Sequence, residues 1–161
     1  GISSRKYGTV QNAGYGGRFV PLSTSYLVFA DIGGGGAATN CPVGVAGTPE
    51  LKPGNCIYNA GTDGILNAYV FDKGFSISKV CGTETSGGAY VCSNTTPTLT
   101  ALDVLFIRSN TTDAILTAQK AGVSVPLTKA EIYLQSATGA ITRGICVSLL
   151  GQISVTTTTC P

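Results

Sequence analysis

The chain of 161 residues contains no histidine, methionine or tryptophan, and only 11% of its residues are charged. Without histidine, the side chain that most often serves as general base and metal ligand is absent. Charged residues make up roughly 25% of a typical soluble domain, so threonine, serine, asparagine and glycine must form most of this polar surface. The net charge of +2 is far from the strong positive charge that marks nucleic-acid binders. The composition favours an extracellular protein or a packed assembly.

Acidic residues are few and scattered along the chain. The eight carboxylates lie mostly at predicted turns or on the wet face of a predicted strand: Asp31, Glu50, Asp63, Asp72, Glu84, Asp103, Asp113 and Glu131. Catalysis needs an activated nucleophile, a tuned pair of carboxylates or a metal, so we predict that the chain is not an enzyme. Asp103 lies within an apolar strand, and we expect it to be partly covered and paired with Arg108 or Arg143.

A metal site is not expected either. Asp31 stands before four consecutive glycines (residues 33–36), and a flexible acidic loop raises the possibility of bound calcium. Calcium needs several converging oxygen ligands, and only Asn40 lies near Asp31 in the sequence. We therefore predict neither a metal nor a cofactor.

Six cysteines are present, and none forms a CxxC pair, which favours disulfides over a zinc site: Cys41, Cys56, Cys81, Cys92, Cys146 and Cys160. Six cysteines allow fifteen pairings. Bonds between sequence neighbours close short loops, so the preferred set is Cys41–Cys56, Cys81–Cys92 and Cys146–Cys160. Disulfides in turn indicate an oxidising compartment.

Strand patterns dominate the sequence, most clearly over residues 99–155. Residues 102–107 are apolar on both faces, which predicts a covered strand. Residues 130–135 alternate between apolar and polar, which predicts one packed face and one wet face. Residues 141–149 and 152–155 follow around a Leu150-Gly151 turn, which completes a β-meander.

The earlier part of the chain also predicts strands. Residues 14–19 contain three glycines without the order of a nucleotide-binding loop, and we interpret them as a strand in which glycine permits close packing. Residues 25–31 form a strong strand pattern. Residues 67–81 read as two strands joined by a hairpin-type or bulged turn at residues 72–74. Residues 1–13 are polar and could be the end of a helix or a flexible leader, so we expect one globular domain over residues 14–161.

Two segments resemble minor type IV pilins and type II secretion pseudopilins of the GspH/FimT-like kind. The first is Gly14-Tyr15-Gly16-Gly17-Arg18-Phe19 followed by Tyr26-Leu27-Val28-Phe29-Ala30-Asp31. The second is Leu102-Asp103-Val104-Leu105-Phe106-Ile107-Arg108-Ser109-Asn110 with Asp113-Ala114-Ile115, in which Ser109 replaces the usual proline. The chain closes with Gly151-Gln152-Ile153-Ser154-Val155, as these proteins commonly do.

The resemblance implies a fold and a role. In this family an apolar N-terminal helix holds the subunit in the membrane before assembly and packs in the filament core afterwards. Residues 1–13 would be the end of that helix, and the remainder would be mainly β, with antiparallel sheet packed against it. The implied partners are other pilin or pseudopilin subunits at the cell surface. Contacts between subunits are expected at residues 33–36, at residues 82–90 and on the final strand.

Two other functions stay open at this point. A secreted carbohydrate- or surface-binding β-module would use neutral loops and a stacking platform of tyrosines: Tyr58, Tyr69, Tyr90 and Tyr133. Some fimbrial relatives bind DNA through a basic Gly-Arg-x-Arg motif, where this chain has Gly151-Gln152-Ile153-Ser154. Binding of phosphates needs lysine or arginine, so DNA uptake is disfavoured unless a small basic patch forms from Arg5, Lys6, Arg18 and Arg143.

Overall fold

The computed structural model describes residues 6–11, 13–32, 54–106, 114–157 and 160. These residues form β-strands joined by turns and a short 3-10 turn at Asp72–Gly74. The strands are β1 Lys6–Tyr7, β2 Val10–Gln11, β3 Gly14–Phe19, β4 Ser25–Asp31, β5 Gly64–Val70, β6 Phe75–Glu84, β7 Tyr90–Cys92, β8 Leu99–Phe106, β9 Ala114–Lys120, β10 Val123–Ser136, β11 Thr142–Ser148 and β12 Ile153–Thr156. The prediction of a mainly β protein is confirmed. Within the described ranges, no helix has the length and apolarity needed to cross a membrane.

A single antiparallel sheet contains all the strands from β3 onward. The order of its main path is β12-β11-β10-β9-β8-β3-β4-β5, while β6 lies on the other edge of β10 and β7 pairs with β6. Strands β8 to β12 are neighbours in chain order, so the predicted meander is confirmed. Gly14–Phe19 is also a strand, as predicted, and it pairs with both β4 and β8.

The long strand β10 curls the sheet into two arms. Its first part pairs with β9 from Val123 to Leu127, and its second part pairs with β11 from Lys129 to Gln135. We call β5, β4, β3, β8 and β9 the first arm, and the second part of β10 with β11, β12, β6 and β7 the second arm. The turn between β3 and β4 joins the arms, because Leu22 N donates to Ile77 O at 2.7 Å and Ile77 N donates to Ser23 O at 2.8 Å.

The main hydrophobic core lies between the two arms. Its buried residues come from both: Ile77, Val80, Val91, Leu99, Leu102, Val104, Ala114, Leu116, Ala118, Leu127, Ala130, Ile132 and Val147. Burial of aliphatic side chains stabilises the fold roughly in proportion to the apolar area removed from water. The curl of the sheet therefore supplies the layer that a flat sheet of this size would lack.

Residues 67–81 contain two strands separated at residues 72–74, as predicted, but the two strands do not pair with each other as a hairpin. Strand β5 pairs with β4, whereas β6 pairs with β10 and β7. The Asp72–Gly74 turn carries the chain from the first arm to the second instead of reversing it. Phe71 anchors the crossing, since its backbone N donates to Thr24 O at 2.9 Å and its ring lies 5.5 Å from that of Tyr26.

The described part of the N-terminal segment is a hairpin rather than the end of a helix. Strands β1 and β2 pair with each other, and Gly8 takes a φ of 57° in the turn between them. Glycine adopts this left-handed region without the cost of a side chain. The ring of Tyr7 lies against Gly64, where a β-carbon would collide with it, so the hairpin packs on the beginning of β5. Residues 1–5 and 12 lie outside the described residues.

Two of the predicted disulfides are present in the structure. Cys81 and Cys92 are directly opposed on β6 and β7 and are bonded, and Cys146 on β11 is bonded to Cys160. The second bond holds the C-terminal tail on the sheet. Cys56 is buried and disulfide-bonded, and its predicted partner, Cys41, lies outside the described residues.

Candidate functional site

An apolar groove of about 320 Å³ opens between the two arms of the sheet. The first arm contributes residues of β3, β4 and β8, and the second contributes residues of β10, β11 and β12. The lining residues are Tyr15, Gly16, Gly17, Phe19, Tyr26, Val28, Val104, Phe106, Ile132, Ile145, Val147 and Ile153. At its rim, Phe106 and Ile153 are 39% and 60% exposed. We refer to this feature as the groove.

Glycines in β3 form part of the floor of the groove. A β-carbon on Gly16 would collide with the backbone oxygen of Val104, so β3 and β8 approach too closely there for a side chain. A β-carbon on Gly17 would meet the ring of Phe19 at 3.0 Å. The ring of Phe19 therefore lies across the strand rather than away from it, as expected for glycines at a close approach.

Four aromatic rings support one wall of the groove. Tyr26 is the centre of this group: its ring stacks on Phe19 at 5.4 Å and on Tyr69 at 5.3 Å, with Phe71 tilted against it. Such pairs add stability beyond the area that they bury. These ring contacts tie β3, β4 and β5 together along this wall.

The chemistry of the groove limits what it can bind. None of the described residues that line it is charged, and its polar side-chain atoms are the hydroxyls of Tyr15 and Tyr26. A partner with unpaired charge would lose hydration there without gaining a counter-ion. The groove suits an apolar side chain or an apolar stripe of another element.

The opposite face of the first arm contains a buried ion pair. Arg18 Nη1 lies 3.0 Å from Asp103 Oδ2, and Asp103 is fully buried. The backbone N of Tyr58 donates to the same oxygen at 3.3 Å, and the Arg18 guanidinium lies 5.3 Å from the centre of the Tyr58 ring. Burial raises the pKa of Asp103 to about 6, while Arg18 and the Tyr58 N–H oppose this rise.

We predicted that Asp103 pairs with Arg108 or Arg143, and the prediction of Arg143 was wrong. Arg143 is exposed, and its Nη1 donates to the backbone O of Thr142 at 2.9 Å. Arg108 lies outside the described residues. The pairing of β3 with β8 places Arg18 directly opposite Asp103, and residues 85 positions apart give no sign of this register in the sequence.

Two more carboxylates hold a segment of chain over this face. Asp31 accepts hydrogen bonds from Asn55 N at 3.1 Å and Cys56 N at 2.8 Å. Asp63 accepts from Ile32 N at 3.0 Å and from Asn59 N at 2.7 Å. Burial raises the pKa of Asp31 to about 7, and the charges of Asp63 and Asp103 add to this effect.

These carboxylates therefore fix residues 54–63 over the small core formed by Phe29, Cys56, Leu105 and Ile115. We expected Asp31 to stand at a flexible loop tip and the carboxylates to be scattered, but Asp31, Asp63 and Asp103 are buried close together. Within the described ranges, no group of three or more His, Cys, Asp or Glu residues is arranged to hold a metal ion. Asn40 and residues 33–36 lie outside the described residues.

A hydrogen-bonded network around the buried carboxylate of Glu131 lies on the face of β10 that we expected to be wet. Glu131 Oε2 accepts hydrogen bonds from the hydroxyls of Tyr90 and Tyr133, both at 2.7 Å. Lys129 Nζ lies 3.4 Å from the other oxygen of Glu131 and donates to Cys160 O at 3.1 Å. Burial, followed by the bond to Glu131, raises the pKa of both tyrosines. Strand β7 and the C-terminal tail therefore cover this face.

Of the four tyrosines predicted to form a stacking platform, the structure brings together only Tyr90 and Tyr133, which share Glu131. Tyr133 is buried, and Tyr58 packs on Phe29 with ring centres 5.3 Å apart. Tyr69 on β5 and Tyr90 on β7 are exposed, but they belong to different arms. The four tyrosines thus form no common platform. Of the basic residues proposed for a DNA-binding patch, Arg18 forms an ion pair with Asp103. Arg5 and the side chain of Lys6 lie outside the described part of the chain.

The segments that we predicted to contact other subunits differ in how exposed they are. Residues 85–90 are exposed, and so are most residues of β12, whereas Gly82 is buried. A β-carbon on Gly82 would collide with Leu127, because β6 and β10 approach closely there. The groove itself was not anticipated, although the apolar faces of residues 102–106 and 145–149 were the signal that could have indicated it.

Comparison with protein-family models, with curated protein sequences and with solved structures gives no match for this chain.

Proposed function

We propose that this chain is a non-enzymatic structural subunit: the globular domain of a minor pilin or pseudopilin that assembles or caps a type IV pilus-like filament. The observation that carries the proposal is the groove, an apolar surface between the arms of an antiparallel sheet. Concave, mostly apolar surfaces are common places for a ligand or another structural element to bind. The resemblance of residues 14–31 and 102–115 to GspH/FimT-like proteins suggests what that interaction is.

An apolar helix is the proposed occupant of the groove. A helix offers a stripe of side chains at every third and fourth position, and such a stripe matches an uncharged trough between two layers of sheet. In the proposed full protein, the N-terminal helix of the pilin class fills this position. The fold of that protein would then be α+β, with the sheet curled around the helix.

The composition and the disulfides support an extracellular setting. Bonds such as Cys81–Cys92 and Cys146–Cys160 form and persist in oxidising compartments. Because only 11% of the residues of the chain are charged, close packing between subunits would have a low desolvation cost. The proposed location is the cell surface, after insertion in the membrane through the helix.

The alternative functions have less support from the arrangement of side chains. A carbohydrate-binding platform would need its tyrosines together, and Tyr69 and Tyr90 lie on different arms. A DNA-binding patch would need free cations, and Arg18 is paired with Asp103. A shift assay with duplex DNA and a glycan array remain the direct tests of these two functions.

Incorporation into filaments tests the proposal. The complete gene product, carrying an epitope tag, is expressed in cells that assemble type IV pilus-like filaments, and the sheared filament fraction is probed for the tag. We expect the unmodified protein in this fraction. The variant Ile153→Asp places a charge at the rim of the groove and is expected to reduce incorporation about tenfold, the loss that corresponds to removing one good apolar contact.

A matched control separates the groove from a general effect of surface charge. Val123→Asp changes a side chain that is 63% exposed, compared with 60% for Ile153, and does not line the groove. This variant should enter filaments as well as the unmodified protein does. Absence of the unmodified protein from the filament fraction would reject the proposed function, and equal incorporation of both variants would reject the role of the groove.

A further inference from the structure

Two tyrosines from different strands meet at a single carboxylate oxygen in the second arm. The hydroxyls of Tyr90 on β7 and Tyr133 on β10 each donate to Glu131 Oε2 at 2.7 Å. The two phenol oxygens are therefore no farther apart than twice that distance. Oxidised tyrosines couple through the ring carbons next to the phenol oxygen, so this arrangement gathers the coupling carbons in one place.

The two rings differ in their access to solvent. Tyr90 is 55% exposed, whereas Tyr133 is only 4% exposed. Tyr133 packs against the Cys81–Cys92 disulfide, and Lys79 Nζ lies 4.4 Å from the centre of its ring. An oxidant in solution therefore reaches Tyr90 directly, while Tyr133 is held in place beneath it.

Glu131 is the proton acceptor that oxidation of these phenols needs. A phenol that loses an electron also releases its proton, and a hydrogen-bonded carboxylate takes up such a proton as a general base. The other oxygen of Glu131 lies 3.4 Å from Lys129 Nζ, so a cation already balances the charge of the carboxylate. Burial, followed by the bond to Glu131, raises the pKa of both tyrosines, so each phenol keeps its proton at neutral pH until it is oxidised.

A second pair of tyrosines is close together but lacks a shared carboxylate. The rings of Tyr26 and Tyr69 stack with their centres 5.3 Å apart. Within the part of the chain that the structure describes, neither hydroxyl is bonded to a carboxylate. Tyr69 is 45% exposed, so an oxidant reaches this pair about as easily as it reaches Tyr90. The stacked pair is therefore an internal comparison for the effect of Glu131.

We propose that Tyr90 and Tyr133 form an oxidative cross-linking site, where hydrogen peroxide activated by a peroxidase joins the two rings by a carbon–carbon bond. Each tyrosine gives up one electron, and Glu131 takes the two phenolic protons in turn and passes them to solvent. The two radicals couple at the carbons next to their oxygens, and the hydrogens on those carbons move to the oxygens and restore the phenols. The chain has then lost two hydrogen atoms, and the peroxide has become two molecules of water.

Tyr90 is the entry point for both oxidation steps. It is oxidised first and then recovers an electron and a proton from Tyr133 across Glu131, which leaves the radical on the buried ring. A second oxidation of Tyr90 gives the pair of radicals that couples. The order follows from the exposure of the two rings, because only Tyr90 presents a large part of its surface to solvent.

The new bond attaches β7 to β10 in addition to the disulfide that joins β7 to β6. Thiols open a disulfide by exchange, whereas they do not open a carbon–carbon bond. Strand β7 therefore stays attached to the sheet after Cys81–Cys92 is reduced. The inference concerns contacts within one copy of the chain, so it depends neither on the proposed filament function nor on what occupies the groove.

Enzymatic oxidation of the purified chain tests the site. The chain is treated at low protein concentration with hydrogen peroxide and a peroxidase, and the product is examined by dityrosine fluorescence, intact mass and peptide mapping after reduction. The chain has no methionine or tryptophan, so oxidation at those side chains does not obscure the result. We expect a monomer that has lost two hydrogen atoms, with Tyr90 linked to Tyr133. No link within one copy, or a link between Tyr26 and Tyr69 instead, would overturn the proposal.

Three variants separate proximity from the action of Glu131. Tyr90→Phe should abolish the link, whereas Tyr69→Phe, at a tyrosine of similar exposure, should leave its yield unchanged. Glu131→Gln keeps an oxygen that accepts hydrogen bonds but removes the base, and it should slow the linkage about a hundredfold, the low end of what a positioned base contributes. Thermal denaturation checks that each variant is folded. An unchanged rate in folded Glu131→Gln, or equal yields from the two phenylalanine variants, would contradict the inference.

Discussion

The two faces of the first arm are made by the same strands and have opposite chemistry. On one face, Arg18, Asp31 and Asp103 hold residues 54–63 in place, and the apolar residues beneath are covered. On the other face, the strands line the groove, and none of its described lining residues is charged. Residues 54–63 of the chain itself cover the first face, and hydrogen bonds to buried carboxylates hold them there. The described residues leave the second face open as the groove, and this contrast supports the proposed role in assembly.

The largest expected loss of stability concerns the face of the first arm that residues 54–63 cover. Arg18→Ala removes the cation from Asp103, which is fully buried, and leaves an acidic group without its counter-ion. Removing one partner of a buried pair costs about 3 kcal/mol, and urea denaturation measures the loss. Arg143→Ala, at an exposed arginine, should change the free energy of unfolding by less than about 0.5 kcal/mol. Similar effects for the two variants would show that the Arg18 pair is not needed.

A smaller loss of stability is expected where residues 54–63, which cover this face, contact Asp31. Gly54 leaves no space for a β-carbon, because one would collide with the carboxyl group of Asp31. Gly54→Ala should therefore displace Asp31 from the backbone N–H groups of Asn55 and Cys56 and cost about 2 kcal/mol. Amide hydrogen exchange at these two residues should increase in the variant. Unchanged exchange would mean that the segment is held by other contacts.

The same face should make stability depend on pH. The pKa values of Asp31 and Asp103 in the folded chain are about 7 and about 6, compared with a usual value of 3.8. Because both are raised, the folded state binds more protons than the unfolded state above pH 4. The contribution of these two groups to the free energy of unfolding is complete below pH 4. It is lost as the pH rises through 6 and 7. Carboxyl carbon shifts in NMR titrations measure both midpoints, and values below 4 would contradict the prediction.

The smallest effect on stability is expected at the groove. Ile153→Asp changes a rim side chain that is 60% exposed, so the free energy of unfolding should change by only about 0.5 kcal/mol even though filament incorporation falls. Chemical denaturation of the purified variant measures this value. A loss as large as that of Arg18→Ala would show that the groove belongs to the core of this chain and would remove the contrast between the two faces.

Local patterns in the sequence predict much of the fold because strands and turns depend on neighbouring residues. The strand patterns over residues 25–31, 102–106 and 130–135, the turn at Gly151 and the Cys81–Cys92 and Cys146–Cys160 loops correspond to observed elements. Resemblance to pilins was also read from such local segments, and it remains a prediction.

Contacts between distant residues could not be predicted in this way. Glu131 alternates with apolar residues and reads as exposed, yet Tyr90 and the tail cover it. Residues 67–81 read as two strands around a hairpin-type or bulged turn, but the two strands join different arms through pairing with β4 and with β10. The ion pair of Arg18 depends on the register of β3 against β8, which no local pattern encodes.

The amino-acid sequence by itself determined that this is a mainly β chain with few charges and disulfide-tied loops, since composition, period and spacing are local properties. Only the tertiary structure decided which faces are covered, which acids are buried together and where an apolar groove stays open. Those outcomes depend on how β10 curls the sheet and brings residues far apart in sequence into contact.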